Sequence, residues 1–303
     1  MELKKKVKRK NKRQKNMNHH QKKPDWLKVR FSVNDNFRDL RDIVIHNKLH
    51  TVCQSARCPN QSECWGRGVA TLMILGDVCT RSCGFCAVKT GRPPNYDLGE
   101  PGRVAEAVRK MNLKHVVLTS VNRDELPDQG STVWAETIRQ IHALCPETSV
   151  EVLIPDFKGE WEPLKMVIDA SPEILSHNLE TVPLLYRKVR PQAKYQRSLW
   201  VLEESKKQGM TTKSGIMVGL GETFEQVLEV MRDGRKAGLD IFNIGQYLQP
   251  TKRHLPVERF VHPSEFAEYR KFGLSIGYRH VESGPLVRSS YHAEEQVQQM
   301  VEI

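Results

Sequence analysis

The sequence predicts an α/β protein: a partial parallel (βα)6 TIM-like barrel with N-terminal and C-terminal extensions covering the site. Three observations lead there. Helix-like and strand-like stretches alternate from residue 70 to residue 282. The strand-like stretches are mostly apolar on both faces, as in a parallel sheet covered by helices. Polar residues recur where those strands end, and a parallel barrel builds its site on the loops at the C-terminal strand ends. The barrel is partial because a cysteine-rich segment and both termini fall outside the repeat.

The chain divides in order. Residues 1–23 are polar, Lys- and Asn-rich and of low complexity, and read as a disordered basic arm. Residues 24–69 form an N-terminal extension. In it, residues 36–48 show helical spacing at Phe37, Leu40, Ile43 and Val44. The polar stretch that follows reads as a loop, because Pro59 and Asn60 interrupt any long helix. Barrel strands are expected at 70–76, 115–120, 149–154, 173–179, 212–218, 241–247 and, shorter, 278–282. Helices are expected between them at 101–111, 132–144, 161–169, 198–207, 223–237 and 264–275. The barrel therefore spans 70–282, and 283–303 is a C-terminal extension.

Composition narrows the function. The formal net charge is +11, but residues 1–30 hold thirteen Lys or Arg against two acids. The remaining 273 residues carry 34 basic and 34 acidic side chains and are neutral. The folded body has no excess charge to attract phosphate, which argues against a nucleic-acid binder with a basic arm. No apolar run approaches the roughly 18 residues a membrane span needs. The N-terminus lacks the apolar region of a secretory signal and the Arg- and Ser-rich character of a transit peptide. A cytoplasmic location is expected.

Six of the seven cysteines lie between residues 53 and 86, in two triplets. Cys53, Cys58 and Cys64 have four and five residues between them; Cys79, Cys83 and Cys86 have three and two. Such packing in a long chain reads as metal or redox chemistry in a reducing compartment. Neither triplet has the paired knuckles of a zinc site, and no His lies among Cys79–Cys86. Iron–sulfur clusters usually take four thiolates. Three thiolates leave one iron open, so two clusters are expected, each with one unusual corner. Cys145 stands alone before Pro146, and packing is its expected role. An electron carrier would need neither a large barrel nor an open iron.

The strand ends carry polar residues. Asn122, Arg123 and Asp124 follow the second strand, Pro155 and Asp156 the third, and Glu180 the fourth. Gly219, Leu220, Gly221 and Glu222 follow the fifth, and Gln246 lies near the end of the sixth. Capping of the next helix is the competing reading for Asp124, Asp156 and Glu222.

The segment CTRSCGFC resembles the cluster motif of the radical S-adenosylmethionine (SAM) superfamily. CQSARCPNQSECW resembles the auxiliary-cluster motif of the lipoyl synthase family. Further similar blocks are LTSVNRDELPDQG, EVLIPDF, NLETVPLLYRKVRPQAKYQRSL, KSGIMVGLGET, NIGQYLQPTKRHLPVERFV and SGPLVRSSYHA. The resemblance runs over about residues 25–295, and the long basic arm departs from it. The RSSYHA tail and the first triplet's spacing argue against a biotin-synthase-like enzyme.

The resemblance implies the following. Cys79, Cys83 and Cys86 bind a 4Fe–4S cluster whose open iron chelates SAM. Cys53, Cys58 and Cys64 bind an auxiliary 4Fe–4S cluster. A serine of the RSSY motif is its fourth ligand, Ser290 by position with Ser289 the near competitor, and Arg288 lies beside it. The activity implied is radical insertion of two sulfur atoms at C6 and C8 of an octanoyl-lysine. The substrates implied are octanoylated lipoyl carrier domains of 2-oxoacid dehydrogenase complexes and the glycine cleavage H protein. Other implied partners are a low-potential donor such as ferredoxin or flavodoxin and an iron–sulfur carrier protein. No specific nucleic acid and no membrane are expected.

Overall fold

The computed structural model describes residues 22–29, 32–93, 96–291, 293 and 295. Most of the basic arm, and the C-terminal extension beyond Tyr291 except Ala293 and Glu295, lie outside the described residues.

Helix α1 (Asp35–His46) buries Phe37, Leu40 and Val44, three of the four apolar positions its spacing singles out. It starts where the Asn34 side chain accepts a hydrogen bond from the Phe37 N–H at 3.0 Å, closing an orphan donor of the first turn. Strand β1 (His50–Thr51) follows. The first cysteine triplet is not the loop that Pro59 suggests. It is carried by two short helices, α2 (Val52–Ser55) and α3 (Gln61–Gly66), with Pro59 in the turn between them.

The barrel begins at β2 (Thr71–Ile74). A small ladder of β3 (Val78–Cys79) with β4 (Lys89–Thr90) closes the loop that holds the second triplet. The repeat then runs α4 (Glu100–Met111), β5 (His115–Ser120), α5 (Ser131–Leu144), β6 (Ser149–Leu153) and α6 (Trp161–Ile168). After β7 (Ile174–Ser176) come the short α7 (Tyr186–Val189) and α8 (Tyr195–Lys207). The last units are β8 (Thr211–Val218), α9 (Phe224–Lys236), β9 (Ile241–Gln246), α10 (Pro263–Ser275) and β10 (His280–Gly284).

The strands lie in the order β1-β2-β5-β6-β7-β8-β9-β10. All neighbours are parallel except β1 and β2. Among the described residues β10 pairs only with β9, so the sheet is an open, partial barrel. Six strand–helix units followed by a seventh parallel strand match the predicted (βα)6 repeat.

The apolar core lies between sheet and helices, as the two-sided apolar strands require. One polar layer interrupts it. Lys213 on β8 reaches Glu151 on β6 at 3.0 Å, and Ser176 donates to the same carboxylate at 2.8 Å. Both charged groups are fully buried. Burial raises the Glu151 carboxyl, but Lys213 and His115 outweigh it and hold it down at about 2. The carboxylate therefore stays ionised, and its burial cost is offset by the Lys213 ammonium beside it.

Candidate active site

The second triplet starts at the end of β3 with Cys79 and continues into the loop before β4 with Cys83 and Cys86, and the strand ends of β5 and β6 fasten that loop. The Thr80 N–H donates to the Asn122 carbonyl at 3.1 Å. Arg81 is the anchor. Its Nε and Nη2 each meet Asp124 at 2.7 Å, and Nη2 also reaches Asp156 at 2.6 Å. Arg81 and Asp156 are buried, and Arg197 approaches Asp156 from behind at 3.3 Å. Burial raises the Asp156 carboxyl, but hydrogen bonding and charge from Arg81 outweigh it and hold it down at about 2.

The two acids therefore hold the cysteine loop. Asp156 also caps a 3-10 turn by accepting from the Lys158 N–H at 3.1 Å. Capping falls elsewhere for the third acid. Thr223 with Gln226 forms the capping box of α9, while Glu222 accepts from the N–H groups of Gly219 and Leu220. Gln246 braces backbone, giving its amide to the carbonyls of Val218, Tyr247 and Arg259. Arg123 donates to the Leu75 carbonyl at 3.2 Å. Arg123, Glu222 and Gln246 do not line the cavity described next.

A cavity of about 510 Å³ opens at the strand ends. Cys79, Cys83 and Cys86 line it, together with Cys53 and Cys58. A small pocket adjoins it, lined by all three of Cys53, Cys58 and Cys64 with Arg288, Ser290 and Tyr291. Both triplets thus reach one site, from opposite ends of a stretch of thirty-four residues.

The C-terminal segment lies between the triplet helices and the barrel. Asn60 donates to the Leu286 carbonyl at 2.7 Å, and Tyr291 to Glu63 at 3.0 Å. Asn243 of β9 donates to the Ser289 carbonyl at 3.1 Å. Gly245 permits the approach, since a Cβ there would stand 2.0 Å from the Val287 carbonyl oxygen. The two serines part company here. Ser290 accepts from Thr71 at 2.7 Å and lines the pocket of the first triplet. Ser289 accepts from Asn178 at 2.7 Å and lines only the larger cavity.

Sequence reasoning assigned no role to Asn178 or Arg190, which both line the cavity. Their only signal was membership of a similar block. Arg190 donates to the Asn178 carbonyl at 2.6 Å, and its Nε is buried without a partner among the described residues. The Oδ1 of Asn122 is in the same position. Burial raises the Glu180 carboxyl, opposed by Arg190 and Asn178. Burial lowers the Arg288 guanidinium, and the neighbouring Cys58 sulfur opposes that. The exposed side chains of the lining are Lys23, Arg57 and Thr90, so the mouth is cationic although the body is neutral.

The donor set fits iron–sulfur clusters and SAM. All seven cysteines are free. Among the described residues no three Cys, His, Asp or Glu converge as the ligands of a single ion do. A cluster asks for something else: each thiolate binds its own iron, so the sulfurs stand around a cavity. The Cys79 sulfur accepts from two backbone N–H groups, Asn122 at 3.3 Å and Arg81 at 3.4 Å, as cluster thiolates do. Burial pushes the Cys83 thiol up to about 12 and the Cys86 thiol up to about 11, so metal loading must release protons. The buried, unpartnered Arg190 Nε and Asn122 Oδ1 offer a donor and an acceptor to a carboxylate and an ammonium.

Comparison with known proteins agrees. The family model of the radical SAM superfamily matches residues 73–234. That of the N-terminal domain of lipoyl synthase of the radical SAM family matches residues 2–58. The lipoyl synthase of Rubrobacter xylanophilus is 59% identical over 278 residues, covering 91% of this chain and 87% of that one. The mitochondrial lipoyl synthase of Nematostella vectensis is 54% identical over 276 residues, covering 91% and 95%. The fold resembles that of methylornithine synthase, with a TM-score of 0.51 at 15% identity over 83% of each chain.

Proposed function

This chain belongs to the lipoyl synthase family of the radical SAM superfamily, and we propose how its residues divide that family's chemistry. The enzyme inserts two sulfur atoms, at C6 and C8, into a protein-bound octanoyl chain and cleaves SAM to methionine and 5′-deoxyadenosine. Its cofactors are two 4Fe–4S clusters and SAM. One observation carries the division of roles: the second triplet opens on the cavity with Asn122, Glu180 and Arg190, and the first opens on the adjoining pocket with Ser290, while Cys53 and Cys58 line both.

Cys79, Cys83 and Cys86 hold the cluster that binds SAM. Arg190 and Asn122, whose buried Nε and Oδ1 have no partner among the described residues, would bind the polar groups of SAM. Cys53, Cys58, Cys64 and Ser290 hold the auxiliary cluster, and Arg288 neutralises charge beside it. A serine oxygen is a harder and weaker partner for iron than a thiolate, which makes this corner the one to release. When bound, the clusters and SAM supply the hydrogen-abstracting radical and the sulfur. The protein's part is to position and to exclude water. Val121, Leu153, Ile154 and Met217 give the cavity apolar walls suited to an alkyl chain.

The domain division follows from these roles: 1–23 a basic arm, 24–69 the first triplet, 70–282 the barrel, 283–303 the RSSYHA extension. β10 runs to Gly284, two residues past that barrel boundary. The octanoyl chain arrives on a carrier domain of a 2-oxoacid dehydrogenase or on the glycine cleavage H protein. The electron comes from ferredoxin or flavodoxin, and an iron–sulfur carrier protein rebuilds the spent cluster. The cytoplasm is the location proposed, supported by free cysteines. Among the described residues no helix is long and apolar enough to cross a membrane.

The test is an anaerobic reaction of reconstituted protein, SAM, reductant and an octanoyl-lysine peptide, followed by mass spectrometry. The peptide gains two sulfur atoms; a peptide recovered unchanged beside fresh 5′-deoxyadenosine overturns the reading. Ser290→Ala is expected to slow lipoyl formation at least tenfold while SAM cleavage partly survives, since even the loss of a partner that only orients a metal ligand costs about 10–100-fold. Wild-type product rates in that variant would assign the fourth ligand elsewhere, with Ser289→Ala as the first comparison.

A further inference from the structure

We infer that His254 is a positioning residue for the second triplet: its ring, held at its other nitrogen by Thr251, clamps the main chain at Cys86. The inference rests on reading that triplet as the ligands of the SAM-binding cluster. His254 belongs to the loop between β9 and α10, far from the triplet in sequence. Its Nε2 lies 2.9 Å from the Cys86 carbonyl oxygen, and its Nδ1 lies 2.8 Å from the Thr251 hydroxyl.

The proton positions follow from chemistry. A carbonyl only accepts, so Nε2 carries the proton. In the neutral ring Nδ1 is then an acceptor, and the Thr251 hydroxyl donates to it. That hydroxyl oxygen in turn accepts from the Arg253 N–H at 3.2 Å. The relay is directional: Arg253 N–H to Thr251 O–H to His254 to the Cys86 carbonyl.

The loop bearing His254 is itself braced. Gln249 donates to the His254 carbonyl at 2.8 Å, and Tyr247 to the Leu255 carbonyl at 2.7 Å. The Leu255 N–H donates to the Gly84 carbonyl at 3.0 Å. Gly84 is needed at that contact, because a Cβ there would lie 2.9 Å from the Leu255 Cγ. The triplet is therefore held at two ends, beside Cys79 by Asp124 and Asp156 after β5 and β6, which grip Arg81, and at Cys86 by His254 from the loop after β9. Partners that orient metal ligands without touching the metal commonly govern retention.

The experiment uses the full chain carrying Cys53→Ala, Cys58→Ala and Cys64→Ala, so that only the second cluster gives a signal. Reconstituted protein is reduced, its paramagnetic resonance spectrum recorded with and without SAM, and iron loss to a chelator followed. His254→Ala is expected to weaken iron retention about 10- to 100-fold and to alter the SAM-induced spectral change. His254→Gln, whose amide can donate to the same carbonyl, is expected to restore most of both. Thr251→Val, which removes the hydrogen bond at the other ring nitrogen, is expected to fall between. A spectrum and iron retention in His254→Ala equal to the parent's overturns the clamp, as does His254→Gln failing as badly as alanine. Cys83→Ala in the same background separates the two readings: if it keeps the signal, the assignment of the triplet fails instead.

Discussion

Replacing Cys83 by alanine is expected to reduce 5′-deoxyadenosine formation to the level of a control without enzyme. Two thiolates remain in the loop, and no other Cys, His or free carboxylate in the segment from Cys79 to Cys86 can stand in. Asp124 and Asp156 are both taken by Arg81. The burial that pushes the Cys83 thiol up to about 12 works against any half-formed site, because thiolate without its iron is costly there. All three cysteines of the first triplet line the adjoining small pocket, which none of the second triplet lines, so the variant should keep about half of the iron, the share of one four-iron cluster of two. Iron and sulfide analysis beside chromatography of the reaction checks both parts. A Cys145→Ala variant is the companion measurement. Cys145 ends α5 and packs at the edge of the core, outside the cavity lining, so iron content and product formation should match the wild type. Normal 5′-deoxyadenosine from Cys83→Ala would remove this triplet from the chemistry.

What the sequence made legible depended on the range of the interaction. Periodic apolar positions report on burial directly, so the alternation of strands and helices was readable almost throughout. The cysteine spacings are local too, and they carried the chemistry. The two short helices of the first triplet escaped because each spans six residues or fewer, too short for periodicity to show. Glu151 and Lys213 sit in strands read as apolar. Their pairing joins strands sixty-two residues apart and is invisible until β6, β7 and β8 are laid side by side. The strand-end residues divide for a similar reason. Asn122 and Glu180 face the cavity, whereas Gln246 and Arg123 turn to backbone carbonyls that only the folded chain supplies. Arg81 lay in plain view between two cysteines, yet its role depends on acids forty-three and seventy-five residues away.

Arg81→Met is the second large effect expected. The substitution keeps an unbranched side chain and removes the charge that two acids share. Asp156 is fully buried, and Asp124 is about a quarter exposed. Removing one member of a buried pair costs about 3–5 kcal/mol, because the other charge is left without compensation. The lower end is expected here, since Arg197 still reaches Asp156 and water still reaches Asp124. Arg81→Lys should recover little, because one ammonium cannot reproduce the forked contact of Nε and Nη2 with both carboxylates. The signature lies in the pH dependence. In the native chain Asp156 is held down at about 2 from an ordinary 3.8. A depressed carboxyl contributes stability that is whole above its unfolded value and is lost as the pH falls through its folded value. Acid unfolding of the wild type should therefore draw on this group between about pH 4 and pH 2. Without Arg81, burial acts on Asp156 with only His177, Arg197 and the Lys158 N–H against it, so its carboxyl rises and the acid-unfolding midpoint moves up. Asp156→Asn combined with Arg81→Met should recover part of the loss, because the stranded charge is then gone. Denaturant melts of the three variants across that pH range decide the matter: equal destabilisation in single and double variants would mean that the loop is held by something other than this ion pair.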